Sequence, residues 1–342
     1  MKTITRFLHV NRKKIEIALI LTMIGFIFYG CTALQEAQQR REERLLGKRN
    51  TDQLMLSPSD AKIDPYPDAI ANNPHGVSDH YTLTFAKDLL ATDAFDESAE
   101  RAIFAQSALG YMESLYDVMY EIFGFKPKHK IHVTLHQVFQ GTTLAAFTTT
   151  EYRYAPNIKY VTGIRMDFPM MMYEKHGVRV HELTHAFTNI YFLPTWFSEG
   201  IAVLMQTEYA KGGLHPKFDN LKRSLELDLD GFNELENWGG HAESGPLTQW
   251  RYSYAYTVVS ELRKKYGNDL YIKVFALMEA DQLHQKLGDD MPTSFLVYYI
   301  SKAAGEDLVP FFKELKFKVR KLEKSNILEY IQQLRTKNRR RN

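Results

Sequence analysis

The sequence predicts an α+β protein in which a small mixed sheet packs on one central helix and a mostly helical C-terminal half follows. Segments that alternate apolar and polar residues all lie before residue 170, whereas apolar residues at helical spacing dominate after it. Strands come first and helices later, which argues against an alternating parallel sheet. The chain has 342 residues, 44% hydrophobic and 25% charged, the composition of an ordinary globular protein.

The first part of the predicted fold contains three strands and a long helix. Strand-like alternation occurs in residues 80–86, 130–136 and 158–168. Helical spacing over 96–124 ends at Gly124, a typical helix stop. Gly163 indicates a bulge or a close approach of another backbone within the third strand. The polar, Thr-rich stretch 141–157 is predicted to be a loop, and its position makes it a candidate lid.

Helices are predicted for most of the remaining chain. One runs from Met170 to Ile190 and carries the sequence HELTHAF, and a second follows Pro194 with Thr195 as its N-cap. Further helical spacing occurs in residues 254–267, 269–280, 293–305 and 307–324. The main domain is therefore predicted over 79–280, and the helices of 281–342 complete it and end in a basic tail.

The N-terminus has the features of an export signal. Residues 1–30 join a basic stretch to an apolar run that is short for a membrane span, which favours a signal peptide. The chain's single cysteine, Cys31, follows Gly30 directly, and this position resembles the bacterial lipobox, in which the cysteine is lipidated. An uncleaved membrane anchor is the alternative. Residues 31–78, polar and containing four prolines within 57–76, are predicted to be a flexible tether.

The charge distribution excludes one class of partner. The chain carries 43 basic and 41 acidic residues, a net charge of +2, and residues 1–30 alone contribute +4. The remainder is slightly acidic, so no broad basic surface is available to neutralise nucleic-acid phosphates. The basic tail RTKNRRRN is interpreted as a solvated end, with contact to anionic lipid as the alternative.

HELTHAF, residues 181–187, has the spacing of a metal site. On a helix, His181 and His185 lie one turn apart and project from the same face, so their ring nitrogens can bind one cation. Glu182 lies beside that face, where it can act as the base toward a metal-bound water. The alternative is an ordinary polar helix with incidental histidines. A catalytic zinc site also needs a third protein ligand and an open position.

The sequence LPTWFSEGIA supplies a candidate for that third ligand. Glu199 lies fourteen residues after His185 on the next predicted helix, which the turn at Pro194 can fold back onto the first. The result is a site with two histidines and one glutamate, the ligand set of thermolysin. Gly200 is expected to let the two helices pack closely, and Trp196 and Phe197 are expected to be core residues.

These segments together resemble the peptidase MA-like gluzincins, many of which are exported bacterial proteins. Their pattern is HExxH, then an aromatic-x-x-Glu-Gly-x-Ala helix, then a Tyr-rich helix that ends in Tyr-Gly. The resemblance covers roughly residues 80–280 and implies a zincin-like fold. It also implies that His181, His185 and Glu199 hold one zinc ion per chain and that Glu182 is the general base.

Two parts of that pattern have no counterpart in the motifs. Thermolysin-like enzymes place an acidic residue four positions after the glutamate ligand, where this chain has Val203, so no partner is predicted for a ligand histidine. The group that stabilises the oxyanion is also open. Tyr252 is the first candidate and Tyr256 the second, both expected just before the next helix. Arg251 and His241 are weaker candidates.

The function expected from these features is a zinc metallopeptidase that cleaves envelope proteins or peptides. A lipid anchor would tether it to a membrane on the periplasmic side, with the outer membrane favoured over the inner. The strand 158–168 is a candidate sheet edge for an extended peptide. One alternative is a catalytically silent, zinc-bearing lipoprotein that binds peptides or assists assembly. Another is a structural envelope lipoprotein without a metal. The oligomeric state is not predicted.

Overall fold

The structure, a computed structural model, describes most of the chain after residue 73 with several gaps. The described residues are 74–90, 98–137, 145–155, 158–209, 215, 217–218, 221, 231–238, 248–281, 283 and 291–329. Several predictions therefore lie outside the described residues: the export signal, Cys31, the tether up to residue 73, His241 and the tail beyond residue 329.

The predicted α+β class is confirmed. The described residues form a five-stranded sheet in the order β1-β2-β3-β5-β4. The strands are β1 (Gly76–Val77), β2 (Tyr81–Phe85), β3 (Ile131–His136), β4 (Phe147–Ala155) and β5 (Ile158–Pro169). β2, β3 and β5 run parallel, while β1 and β4 pair antiparallel at the two edges, so the sheet is mixed as predicted.

Alternation along the strands creates one apolar face, which packs on the helices. Leu83, Val133 and Met166 are aligned across three neighbouring strands, and each is at most 1% exposed. Because successive side chains of a strand point to opposite faces, the alternating segments in the sequence were sufficient to predict β2, β3 and β5. The bulge predicted beside Gly163 is also present, since the β4–β5 register shifts between Glu151 and Tyr152.

Helices make up most of the remaining described chain, together with a π-helix at Gly231–Glu236. The α-helices are α1 (Lys87–Leu90), α2 (Ser98–Phe123), α3 (Met170–Tyr173), α4 (His176–Thr188), α5 (Thr195–Tyr209), α6 (Thr248–Tyr266), α7 (Leu270–Ala280), α8 (Thr293–Ala304) and α9 (Val309–Glu314). α2 ends as predicted at Gly124, whose φ of 76° favours glycine. Among the described residues, no helix is both long and apolar enough to cross a membrane.

The stretch 141–157 was predicted to be a loop, and this is wrong for its described part. Phe147–Ala155 is strand β4, which forms the outer edge of the sheet beside β5. The prediction that residues 158–168 form the sheet edge is wrong for the same reason, because β5 lies between β3 and β4. Threonine favours strands despite its polarity, and polarity alone suggested a loop.

Three helix predictions also need correction. The segment 170–190 is not one helix: Lys175, with a ψ of 110°, separates α3 from α4, and a 3₁₀ turn follows at Asn189–Tyr191. The helix predicted over 307–324 ends at Glu314, and the chain then continues without regular structure to residue 323. Thr195 is the first residue of α5 rather than its cap.

The opposite face of the sheet carries a buried ion-pair network. Arg165, which is 1% exposed, places its Nε 2.7 Å from Oδ2 of Asp167. The His136 Nε2 lies 3.1 Å from the other carboxylate oxygen of Asp167. Burial alone raises the pKa of Asp167, but the hydrogen bond from His136 and the charge of Arg165 outweigh it, so the pKa is lowered.

We predict that Asp167→Asn lowers the free energy of unfolding at pH 7 by about 3 kcal/mol, because it leaves the buried Arg165 without its closest anionic partner. The lowered pKa means that the native chain holds this carboxylate ionised more strongly than the unfolded chain does. Its stabilising contribution is therefore present above the unfolded pKa of 3.8 and is lost as the pH falls through the lower folded pKa.

Urea denaturation between pH 3 and pH 7 measures this effect. The difference in unfolding free energy between wild type and Asp167→Asn should shrink at the acidic end. The control is Asp117→Asn, a change at an exposed position of α2 that should leave the curve unaltered. Equal stability of wild type and Asp167→Asn at pH 7 would show that the network does not stabilise the fold.

Candidate metal centre

Helix α4 presents His181 and His185 one turn apart toward α5. Its core-facing side is apolar: Leu183, Ala186 and Phe187 are completely inaccessible to solvent. Phe187 packs against Tyr116 of α2, with ring centroids 4.8 Å apart. Because packing in the core fixes the rotation of α4 about its axis, both histidine side chains face α5.

Helix α5 brings Glu199 to the same place. Trp196 and Phe197, both 0% exposed, fix the first turn of α5 in the core, as predicted. Glu199 itself is 4% exposed. A carboxylate so far removed from water needs compensating charge or hydrogen bonds, so its position beside two imidazole rings has a specific cause.

The distances between the three groups match those of a metal site. The Nε2 atoms of His181 and His185 are 3.1 Å apart, and Oε2 of Glu199 lies 3.3 Å from the first and 3.4 Å from the second. In a tetrahedral zinc site with bonds of about 2.0–2.1 Å, neighbouring ligand atoms are about 3.3–3.4 Å apart. These three residues can therefore hold a metal ion together, as the sequence predicted.

The outer hydrogen bonds of the histidines explain why these atoms attract a cation. The Ser198 hydroxyl donates to Oδ1 of Asn189, so its oxygen accepts from Nδ1 of His185 at 3.1 Å. Nδ1 of His181 lies 3.2 Å from the Gln206 Oε1, which can only accept. Both Nε2 atoms therefore turn lone pairs toward the Glu199 carboxylate. Three converging acceptors repel one another unless a cation lies among them.

Glu182 lies beside this centre and is 5% exposed. The Thr148 hydroxyl on β4 is 2.8 Å from both Oε2 and the backbone carbonyl oxygen of Glu182, and its proton is available to either. This contact fixes the edge strand of the sheet to the first turn of the motif.

Of the two candidate tyrosines, Tyr252 is in contact with the centre through Glu199. Both lie within α6 rather than before it, which corrects the sequence prediction. The pKa of Tyr252 is raised well above its usual value by burial, by the charges of Glu199 and Glu182, and by its hydrogen bond to Glu199. The hydroxyl group is therefore a proton donor at neutral pH. Tyr256 is buried one turn further along α6, and among the described residues no hydrogen bond joins it to a ligand.

His215 is a site residue that the sequence did not reveal. Its ring stacks on that of Tyr252 with centroids 4.5 Å apart. Burial and the nearby His181 lower its pKa, against opposing effects of Gln249 and Glu199. It belongs to no motif and lies between α5 and α6, so only the packing of those helices could locate it. Arg251, which precedes Tyr252 in α6, forms an ion pair with Glu234, with its Nε 3.5 Å from Oε2.

Gly200 holds the site together at a different crossing from the one predicted. A Cβ atom at this position would lie 2.8 Å from the Ala255 carbonyl oxygen and 2.7 Å from Cγ2 of Val259, both on α6. The close approach is thus between α5 and α6, not between α5 and α4. It brings the helix of Glu199 against the helix of Tyr252.

Comparisons with known proteins add little to this geometry. No family model matches the chain, and no curated protein matches it. A solved structure of a functionally unknown conserved protein mutant from Bacillus anthracis is similar, with a TM-score of 0.42 and 14% identity. The match covers 82% of this chain and 55% of that one, so this chain spans little more than half its length.

We predict that the protein purified without chelator contains about one equivalent of a divalent metal ion. His185→Ala and Glu199→Ala should each lose the metal ion, because the two remaining protein ligands are fewer than the three that such a site needs. Elemental analysis gives the stoichiometry. Thermal unfolding gives an independent measure, since a ligand at about 1,000 times its Kd adds about 4 kcal/mol of stability.

The control for this experiment is His129→Ala, which removes an exposed histidine far along the sequence from the site. It should keep both the metal and the metal-dependent rise in melting temperature. Less than half an equivalent of metal in the wild-type protein would instead support a structural role without a metal.

Proposed function

We propose that this protein is a zinc metallopeptidase with a zincin-like fold, of the kind that the gluzincin resemblance implies. One observation carries the proposal: a buried carboxylate, Glu182, adjoins the ligand His181 in α4, acts together with Glu199 on Tyr252 and is hydrogen-bonded by Thr148. A purely structural metal site has no use for an additional buried carboxylate at its edge, whereas a hydrolytic site needs a base at that place.

Zinc is the proposed metal because the ligands are two imidazoles and one carboxylate, the set found in catalytic zinc sites with an open position. Zinc supplies Lewis acidity, polarising a carbonyl group and making water more acidic. His181, His185 and Glu199 would hold the ion. With His181 12% exposed and the other two ligands 6% exposed, access from solvent is on the His181 side.

The remaining roles belong to side chains of the site. Glu182 takes the proton of the attacking water and passes it to the leaving amine. Tyr252 donates its hydroxyl proton to the oxyanion, a role supported by its raised pKa and its place beside Glu199. His215, stacked on Tyr252, keeps that ring in position and excludes water from one side of it.

The substrate is proposed to be an extended peptide that pairs with β4. This strand is the outer edge of the sheet, and Thr148 within it contacts Glu182, so a peptide added there would pass the catalytic base. The location in the cell envelope, with a lipid anchor at Cys31, rests on the export signal of residues 1–30. It is consistent with exported peptides or proteins as substrates.

The first test of this function is Glu182→Gln, which keeps the shape of the side chain but removes the base. Hydrolysis of envelope peptides should fall by about 10²–10⁴-fold, the usual contribution of general base catalysis. Proteome-wide profiling of cleavage sites in envelope extracts measures the loss and identifies the substrates at the same time.

Glu174→Gln is the matched control, because Glu174 is an exposed glutamate between α3 and α4. It should cleave like wild type. If Glu182→Gln cleaves equally well, the mechanism is wrong. If neither wild type nor variant cleaves any envelope peptide while zinc is bound, the catalytically silent peptide-binding alternative takes its place.

A second test separates the two tyrosines. Tyr252→Phe should lower kcat by about 10²–10³-fold with little change in KM, because it removes a hydrogen bond made to the oxyanion in the transition state. Tyr256→Phe should retain the wild-type kcat. Zinc content is measured for both variants, and the assignment is wrong if Tyr252→Phe loses activity only in proportion to lost zinc.

A further inference from the structure

Both ligand histidines have neutral partners on the side that faces away from the centre. His185 is held by Ser198, which is held in turn by Asn189. His181 is held by Gln206, 3.2 Å away. Metal-binding histidines often have a carboxylate in this position, which fixes the ring and increases its basicity. Here the partners are hydroxyl and amide groups.

Gln206 reaches His181 because of its place on α5. It lies seven residues after Glu199, which is about two helical turns, so both side chains leave the helix on the same side. At 3% exposure its amide is shielded from competing water. Val203, four residues after Glu199, is completely buried and apolar and offers no hydrogen-bond acceptor from its side chain.

We propose that Gln206 is the positioning residue of His181 and that it sets the affinity of the centre for its metal. The inference rests on the metal site of the proposed function but not on peptide hydrolysis. Hydrogen bonds to an ionised acceptor are roughly twice as strong as those to a neutral one. An amide therefore orients the imidazole while increasing its basicity less than a carboxylate does.

The consequence is a centre whose affinity can be changed in both directions at one position. Removing the amide frees the His181 ring to rotate, which matters because His181 is the most exposed of the three ligands. Replacing the amide by a carboxylate of the same shape adds negative charge behind the ring. The first change should weaken zinc binding and the second should strengthen it.

The test is a competition titration of the full chain with Zn²⁺ against a chromophoric chelator, without any substrate. Gln206→Ala should bind zinc about 10–100-fold more weakly than wild type, the usual effect of losing such a partner. Gln206→Glu should bind more tightly than wild type. Thr207→Val is the control, since the Thr207 hydroxyl has no hydrogen-bond partner among the residues that the structure describes and its loss should leave the affinity unchanged.

Gln206→Glu keeps the result decisive if Gln206→Ala does not fold, because it has nearly the same volume as the native residue. Wild-type affinity in Gln206→Ala, weaker binding in Gln206→Glu, or a wild-type chain that binds no zinc would each overturn the proposal. An affinity that depends on Gln206 in a protein that cleaves nothing would reject the peptidase but keep this inference. Glu182-dependent cleavage with no influence of Gln206 on zinc affinity would keep the peptidase but reject this inference.

Discussion

The repulsion among three acceptors at one point is the constraint on which the rest of this structure depends. Two imidazole nitrogens and a carboxylate oxygen lie within 3.4 Å of one another and are largely removed from water. Without a cation between them this arrangement is unfavourable, and packing elsewhere has to maintain it. The apolar faces of α4 and α5, and the close approach of α5 to α6 at Gly200, provide that packing. The packing of these three helices thus fixes the positions of the three ligands.

The sheet contributes to the centre through one contact at its edge. Thr148 of β4 binds Glu182, so the position of the proposed base depends on the strand that the proposed substrate would extend. This arrangement also explains why β4 is difficult to predict. It contains three consecutive threonines, and one of them, Thr148, faces the polar Glu182 of the motif. A strand that is polar on both faces lacks the alternation by which β2, β3 and β5 were predicted.

The site residues that the sequence predicted lie close together along the chain, whereas those it missed meet only through the packing of separate helices. His181, His185 and Glu182 were predictable because helical spacing alone brings them together, and Glu199 because a short turn follows. Gln206, Ser198 and His215 were not, since their contacts depend on how α4, α5 and α6 cross. The break at Lys175 was equally hidden, because residues 170–190 contain no proline or glycine pattern strong enough to divide the helix. Gly177, one residue into α4, is tolerated there.

The charges of the proposed centre give a physical reason for the neutral partners of its histidines. Burial and then the charges of Glu199 and Glu182 raise the pKa of Tyr252, which keeps its hydroxyl protonated. A divalent cation held by the three ligands balances these two carboxylates. A further carboxylate behind His181 would leave the buried site with a net negative charge, which is costly in an environment of low polarity. It would also bind the cation more strongly and thereby reduce its power to polarise a substrate carbonyl. A neutral amide at Gln206 orients the ring without either effect.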